Sequence, residues 1–160
     1  MSDKFQFIKR FFENDIAFDR YMGLRVDEVR EGYALCWLPF RAELIGDPWR
    51  PALHGGVTSM LVDVCAGIAA LSTLPLGSRC STVDMRVDYL RPAGPLDLWA
   101  RGEVLRAGSQ VAVVDVAVYQ VVEGGEHQQV ARGTAAFSLK AKFAEGLTAH
   151  SAEAIQAQIL

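Results

Sequence analysis

The sequence contains little cysteine, and its cysteines are not arranged in pairs. Only three of the 160 residues are cysteine, namely Cys36, Cys65 and Cys80, and no two of them form a Cys-x-x-Cys unit. Cys36 and Cys65 lie among apolar residues, which is typical of buried, reduced thiols. We therefore predict free cysteines and no disulfide framework.

The sequence also lacks a long hydrophobic run. Its longest stretch without a charged residue, Val64 to Ser78, is too short to span a bilayer and contains glycine and proline. The stretch from Met1 to Arg10 lacks the apolar core of a signal peptide. We therefore expect a cytoplasmic protein that does not associate with a membrane.

Positive charge is not in excess. The net charge is −3 and the isoelectric point is about 5.6, which argues against nucleic acid as a partner because phosphate binding needs concentrated positive charge. The three histidines, His54, His127 and His150, have no metal-ligand spacing. There is no phosphate-binding loop or dinucleotide fingerprint either. We expect no metal and no organic cofactor.

The sequence does contain regular hydrophobic periodicity, which predicts helices and strands in a definite order. The predicted elements are helices over 4–12, 15–22 and 57–73, strands over 24–30, 33–40, 82–90, 96–106, 110–122 and 128–140, a loop over 41–53, and a short helix over 152–160. In the strand over 82–90, apolar and polar residues alternate strictly from Thr82 onwards, which predicts one apolar and one polar face.

The helix over 57–73 is apolar on nearly every side, so other elements must surround it. The four strands that follow it are separated by turns, which predicts an antiparallel meander. The simplest arrangement curls one antiparallel sheet around the helix. We therefore predict an α+β domain.

One carboxylate, Asp63, lies in the middle of this apolar helix. No basic residue occurs between Arg50 and Arg79 to pair with it, and the neighbours on its helical stripe form no polar face. Burying an unpaired carboxylate costs several kcal/mol. Either a capping or surface environment satisfies Asp63, or the carboxylate serves a function.

Two glycines, Gly55 and Gly56, stand where this helix begins. They allow a ligand to approach the backbone closely, and the N–H groups of a first helical turn can stabilise an oxyanion. Gly55 and Asp63 are eight residues apart, which is about 12 Å along one helix. A reacting carbonyl must lie within about 3 Å of both groups. If they act together, they come from two subunits, and a twofold dimer would form two equivalent sites.

Four segments of the sequence together form a family pattern. They are Leu53-His54-Gly55-Gly56 with Asp63 nine residues after the histidine, Thr82-Val83-Asp84-Met85, Tyr89-Leu90-Arg91-Pro92-Ala93, and the final Val130-Ala131-Arg132-Gly133-Thr134-Ala135-Ala136-Phe137. These segments resemble the hotdog-fold thioesterases, in particular the PaaI-like branch of the phenylacetic acid pathway. The resemblance implies a hotdog domain over 23–140, a helical segment over 1–22 before it, and a tail with a short helix over 141–160.

The resemblance also implies an activity. The activity is hydrolysis of an acyl-CoA thioester to a carboxylic acid and CoA, with CoA entering only as part of the substrate. Because the composite site needs two chains, we expect at least a homodimer, further paired as a dimer of dimers. In this family pattern Asp63 is the general base or nucleophile, and the Gly55 N–H polarises the thioester carbonyl. Thr82 positions the attacking water, and His54 holds the loop at the helix start without being the main base.

The sequence departs from this family pattern in two places. Relatives often have asparagine in the loop before the His-Gly-Gly triplet, where this chain has Asp47, and an ionised acid cannot donate a hydrogen bond. Relatives often have Gly-Arg where this chain has Gly108-Ser109-Gln110. The first departure leaves the role of Asp47 open between a weakened carbonyl contact and a different substrate.

Several further residues are candidates for substrate binding. Arg91, at the end of a predicted strand, is the first candidate for a CoA phosphate contact, followed by Arg86 and Arg106. Each arginine could instead be an ordinary surface residue, and Arg86 could pair across strands with a carboxylate. Trp49 is the tryptophan expected near the substrate, because its loop leads directly into the triplet.

Two other functions remain open at this stage. A hotdog hydratase-dehydratase would need an Asp–His or Glu–His pair at the substrate, whereas Asp63 with Thr82 favours hydrolysis. A non-catalytic acyl-CoA sensor or binding subunit is the alternative from a different class, because a fold does not dictate a function.

Overall fold

The computed structural model describes residues 3–140, and the predicted helix over 152–160 lies outside these residues. The chain begins with helix α1 (Asp3–Arg10), which continues through a π-helical turn (Phe11–Asp15) into helix α2 (Ala17–Met22). Gly23 ends α2 in the left-handed conformation at φ 79°, which glycine adopts without steric cost. The two predicted N-terminal helices are therefore present, with shorter bounds.

The remaining elements form an α+β domain, as predicted. They are strands β1 (Arg25–Arg30), β2 (Tyr33–Leu38), β3 (Ile45–Asp47) and β4 (Ala52–Leu53), helix α3 (Gly55–Ser72), and strands β5 (Arg79–Tyr89), β6 (Leu98–Ala107), β7 (Val111–Val121) and β8 (His127–Lys140). The predicted loop over 41–53 contains a single 3₁₀ turn and the small hairpin β3–β4.

Six strands form one antiparallel sheet in the order β1-β2-β6-β7-β8-β5. The predicted four-stranded meander is wrong, because β5 pairs with β8 at the edge of the sheet and only β6, β7 and β8 follow one another. The connection from Tyr89 to Leu98 contains Pro92 and Pro95 and is too long for a tight hairpin turn. Alternation along a strand shows which side chains share a face, but it does not show which strands pair with that strand. The sequence pattern therefore could not identify the partner of β5.

The sheet curls around α3, whose central residues Leu61, Val62, Cys65 and Ile68 have no exposed surface. By length and composition α3 would also suit a membrane span, but most of it is buried inside this domain. The three cysteines are free thiols, as predicted.

Gly133 in β8 allows the helix to approach the sheet closely. A Cβ atom at this position would lie 2.4 Å from Cγ1 of Val62, well inside contact distance. The absence of a side chain at Gly133 therefore determines how deeply α3 lies in the curve of the sheet.

We predict that Gly133→Ala lowers the free energy of unfolding by about 1–3 kcal/mol, because the added methyl group overpacks the contact between α3 and β8. Gly94→Ala is the matched control, since its Cβ would meet only Oε1 of Gln120 at 3.9 Å. Urea denaturation of both variants measures the difference. Equal stability of the two would contradict the close approach.

Candidate active site

The start of α3 is built on His54, which is the N-cap residue of the helix. Its Nδ1 atom accepts a hydrogen bond from the Gly56 N–H at 2.9 Å, so Nδ1 carries no proton in this arrangement. The backbone N–H of His54 donates to the Leu44 carbonyl at 2.8 Å. His54 therefore joins the preceding loop to the first turn of the helix.

This capping leaves one amide of the first turn for a ligand. The Gly56 N–H is bonded to the His54 ring, and the Val57 N–H donates to the His54 carbonyl at 2.9 Å. No acceptor for the Gly55 N–H occurs within the described part of the chain. Of the two candidate glycines, Gly55 thus presents a hydrogen-bond donor, whereas Gly56 uses its own to stabilise the helix start.

Tyr89, at the end of β5, secures the same helix start from the sheet. Its hydroxyl donates to the Gly55 carbonyl at 2.9 Å and is also hydrogen-bonded to the Ser59 hydroxyl. Sequence reasoning included Tyr89 only in a matching segment and assigned it no role at the site. The sequence feature that could have placed Tyr89 near α3 is its position on the apolar face of β5, together with Met85 and Val87.

Asp63 lies half-buried in the middle of α3, and Thr82 of β5 approaches it from the sheet. The Thr82 hydroxyl donates to Oδ1 of Asp63 at 2.7 Å. This hydrogen bond fixes the orientation of the carboxylate. It also leaves the lone pairs of the threonine oxygen free to accept a hydrogen bond from a third group, such as water.

The contact between Thr82 and Asp63 depends on a β-bulge that the sequence pattern does not reveal. Strict alternation would put Thr82 on the opposite face from Met85. The pairing register with β8 shifts between Thr82 and Asp84, so that Val83 is the extra residue and is 67% exposed. A bulge changes the direction of the side chains on one side of it. Thr82 consequently shares the inner face with Met85.

Asp63 and Thr82 line a cavity of about 450 Å³ whose other walls are mainly apolar. Aromatic and aliphatic residues from the N-terminal segment, from α3 and from β8 line it. They include Phe11, Phe12, Ile16, Phe18, Met60, Val64, Leu71 and Phe137. Sequence reasoning did not connect the N-terminal helices with the site, because an amphipathic pattern predicts a buried face without identifying what covers it.

Two ionisable groups in this cavity have raised pKa values. Burial, together with the nearby charge of Asp63, raises the pKa of Asp19 from 3.8 to about 6. Burial raises the pKa of Cys80 to about 11, again with a smaller contribution from Asp63, so this thiol stays protonated and is a poor nucleophile at neutral pH.

The structure gives Asp47 a local role in its own loop. Its Oδ1 atom accepts hydrogen bonds from the backbone N–H groups of Trp49 and Arg50, at 3.1 and 3.3 Å, and Oδ2 lies 3.4 Å from Nε of Arg50. These hydrogen bonds, chiefly that of the Arg50 backbone, lower the pKa of Asp47. Trp49 itself is 90% exposed and does not line the cavity that contains Asp63.

The three candidate arginines lie in different surroundings. Arg91 borders a second cavity of about 460 Å³ together with Gly55 and Tyr89. Arg86 is exposed and pairs with Asp88 of its own strand at 2.9 Å, rather than across strands.

Arg106 is separate from the other two arginines. The pairing register puts it in the same row of the sheet as Asp84, three strands away from β5. Arg91 follows the C-terminal end of β5. Within one subunit Arg106 is therefore not near the start of α3.

One chain does not bring Gly55 and Asp63 together. Both residues lie on the uninterrupted helix α3 (Gly55–Ser72), and a separation of eight residues corresponds to about 12 Å. Within residues 3–140, no group of three or more His, Cys, Asp or Glu side chains is arranged to hold a metal ion.

Comparison with known proteins identifies similar thioesterases and esterases. The family pattern of the thioesterase superfamily matches residues 51–125, which include α3. A putative esterase of Halobacterium salinarum is 32% identical over 122 residues, covering 73% of this chain and 80% of that protein. The medium/long-chain acyl-CoA thioesterase YigI of Salmonella typhimurium is 31% identical over 125 residues, covering 70% of this chain and 81% of that protein.

The fold agrees with a solved structure as well. The PaaI protein of the Escherichia coli phenylacetic acid degradation operon superposes with a TM-score of 0.72 at 23% identity, covering 84% of this chain and 91% of that one. This similarity confirms the hotdog fold, and the two relatives above confirm the family expected from the sequence. The chain belongs to the thioesterase superfamily.

Proposed function

We propose that this protein hydrolyses acyl-CoA thioesters to a carboxylic acid and CoA, in the cytoplasm. The observation that carries the proposal is the hydrogen bond from Thr82 to Asp63 at 2.7 Å, at the wall of an apolar cavity large enough for an acyl chain. Membership of the thioesterase superfamily supports thioester hydrolysis, and YigI acts on medium- and long-chain acyl-CoA.

In the proposed mechanism Asp63 and Thr82 prepare a water molecule. Oδ1 of Asp63 is bonded to the Thr82 hydroxyl, so Oδ2 accepts a proton from water while the threonine oxygen accepts the other water hydrogen. The water oxygen forms a bond with the thioester carbon. Collapse of the tetrahedral intermediate breaks the carbon–sulfur bond, and the proton held by Asp63 passes to the CoA thiolate. Direct attack of Asp63 on the carbonyl, followed by hydrolysis of the anhydride, is the alternative route.

The oxyanion of the intermediate is stabilised by the Gly55 N–H of a second subunit. That amide has no acceptor in the described part of the chain, and the positive end of the α3 dipole lies behind it. We propose a twofold homodimer with two composite sites, further assembled as a dimer of dimers. The 12 Å separation along a single helix supports the two-chain arrangement.

A CoA phosphate contact is assigned to Arg91. Arg91 borders the same cavity as Gly55, so it is the arginine best placed for this contact, whereas Arg86 already has Asp88 as a partner. The exposed Trp49 is available to stack on the CoA adenine, since its loop adjoins the triplet. The mechanism uses only protein groups and water, and we propose that it needs neither a metal nor a cofactor.

The two alternative functions are less well supported. A hydratase-dehydratase would need a histidine beside the acid, but Nδ1 of His54 is occupied by the Gly56 N–H. A non-catalytic sensor would have no use for an acid and a hydroxyl held in hydrogen-bond contact. Incubation with a panel of acyl-CoAs and a thiol reagent separates hydrolysis from the two alternatives, since free CoA is released only by a thioesterase.

We predict that Asp63→Asn lowers kcat by at least about 10²-fold with little change in KM, because it removes the base but keeps the volume. Asp84→Asn, which neutralises an exposed carboxylate of β5, is the control and should retain activity. Steady-state kinetics and thermal unfolding of both variants test this. A stable and fully active Asp63→Asn protein would rule out the mechanism.

A second prediction concerns the hydroxyl group that orients the water. Thr82→Ala should lower kcat by about 10-fold or more, because water is still present but less well oriented. Thr82→Ser keeps the hydroxyl and should recover most of the activity. If both variants lose the same activity, the methyl group of Thr82 matters rather than its hydroxyl, and the assigned role is wrong.

A third prediction tests whether two chains form each site. Gly55→Pro removes the N–H at the first helical position, where proline is tolerated, and the extended backbone of His54 (φ −61°, ψ 134°) suits a residue before proline. Gly55→Pro and Asp63→Asn should each be inactive alone. Mixed dimers of the two contain one intact site, so random reassembly should restore about a quarter of the wild-type activity.

The control for this experiment is Gly55→Ala, which keeps the N–H group and should retain more activity than Gly55→Pro. Sites formed within one chain would give no recovery on mixing, because every chain would carry one defect. Measurement of activity against the ratio of the two chains distinguishes the two arrangements.

A further inference from the structure

Asp19 is a buried carboxylate that the proposed mechanism does not use. It lies on α2, is 2% exposed, and lines the same cavity as Asp63 and Thr82. Its Oδ2 atom is buried and has no hydrogen-bond partner among the described residues. Buried polar atoms in folded proteins are nearly always hydrogen-bonded, so an unpartnered carboxylate oxygen at a ligand cavity calls for a specific explanation.

The surroundings do not supply a compensating donor for this oxygen. The other ionisable side chains that line the cavity are Asp63 on α3 and Arg79 and Cys80 on β5. Cys36 of β2 lies close enough for the charge of Asp19 to raise the pKa of its thiol. No described residue donates a hydrogen bond to Oδ2 of Asp19. With its pKa raised to about 6, Asp19 is mostly ionised at neutral pH and can then only accept hydrogen bonds.

The N-terminal segment holds this carboxylate in place. Oε1 of Glu13 accepts a hydrogen bond from the Val26 N–H at 2.8 Å, which ties the π-helical turn to β1. The Asp19 carbonyl accepts from the Leu24 N–H at 3.0 Å, and the Arg20 side chain donates to the Asn14 carbonyl at 2.8 Å. These bonds prevent α2 from turning its acid towards solvent without breaking backbone contacts.

We propose that Asp19 determines substrate specificity by accepting a hydrogen bond from a hydroxyl group on the acyl chain, so that hydroxylated acyl-CoAs are the preferred substrates. The inference rests on the proposed hydrolysis of acyl-CoA, since the acyl chain is taken to occupy this cavity. A hydroxyl group brings one donor to one unpartnered oxygen. An ammonium group would bring three donors into a cavity whose walls are mainly hydrocarbon, and would leave some of them unpaired.

The experiment compares octanoyl-CoA with 3-hydroxyoctanoyl-CoA and 8-hydroxyoctanoyl-CoA, with kcat/KM measured for each substrate. The wild-type protein should prefer at least one hydroxylated substrate by about 10-fold or more, because a site built around a hydrogen bond discriminates against the analogue that lacks the hydroxyl. Asp19→Leu should abolish this preference. Asp15→Leu, which removes an exposed acid from the same segment, should leave the preference unchanged.

The ratio of kcat/KM for a hydroxylated substrate to kcat/KM for octanoyl-CoA does not depend on the fraction of folded protein. A merely structural role of Asp19 would therefore not alter this ratio. An unchanged ratio in Asp19→Leu, or a wild type that prefers octanoyl-CoA over both hydroxylated substrates, would overturn the proposal. If the wild type hydrolyses none of these thioesters, the proposed function fails instead. Calorimetric binding of octanoic, 3-hydroxyoctanoic and 8-hydroxyoctanoic acid to wild type and Asp19→Leu then tests the specificity alone.

Thermal unfolding of Asp19→Asn checks the premise that the carboxylate is unpartnered. The pKa of Asp19 is higher in the folded protein than its ordinary 3.8, so its ionisation opposes folding increasingly from about pH 4 to about pH 6 and by a constant amount above. Asp19→Asn should therefore have a higher Tm than the wild type at pH 8, with the difference vanishing near pH 4. A lower Tm of Asp19→Asn at pH 8 would reveal a partner for the carboxylate and contradict the proposal.

Discussion

The burial of α3 inside the curve of one antiparallel sheet is the constraint on which the other features of this protein depend. The helix has no polar face to offer to water, so the sheet surrounds it, and Gly133 allows the sheet to come within contact of Val62. Enclosure leaves only two parts of the helix within reach of a ligand. These are the first turn, where the Gly55 amide has no acceptor among the described residues, and the stripe that contains the half-buried Asp63.

A single edge strand then positions both of these parts. Among the described strands of one subunit, β5 pairs only with β8, so within that subunit a bulge at Val83 does not have to be matched by a second neighbouring strand. The bulge turns Thr82 towards Asp63, and Tyr89 at the end of the same strand bonds to the Gly55 carbonyl. The acid and the helix start, which are about 12 Å apart, are thus held in one rigid frame. Such a frame suits catalysis, which requires preorganised groups.

The N-terminal segment completes the site and introduces a conflict between stability and function. Its phenylalanines cover the cavity in front of Asp63, and the bond between Glu13 and the Val26 N–H fixes the segment to β1. This covering also buries Oδ2 of Asp19, which has no hydrogen-bond partner among residues 3–140, at a cost in folding free energy. Local rules of folding are commonly broken at functional sites, and the position of this exception at the wall of the acyl cavity is the reason to connect it with substrate recognition.

The sequence alone determined the features that depend on local patterns. The α+β class, the buried helix, the isolated acid at Asp63 and the glycines after His54 all follow from composition and short-range periodicity. Tertiary structure decided what those patterns leave undefined. The pairing of β5 with β8, the bulge that redirects Thr82, and the packing of Asp19 into the cavity of Asp63 depend on contacts between distant segments. Periodicity reports which face of an element is buried, but the partner that covers that face is chosen by the packing of the whole chain.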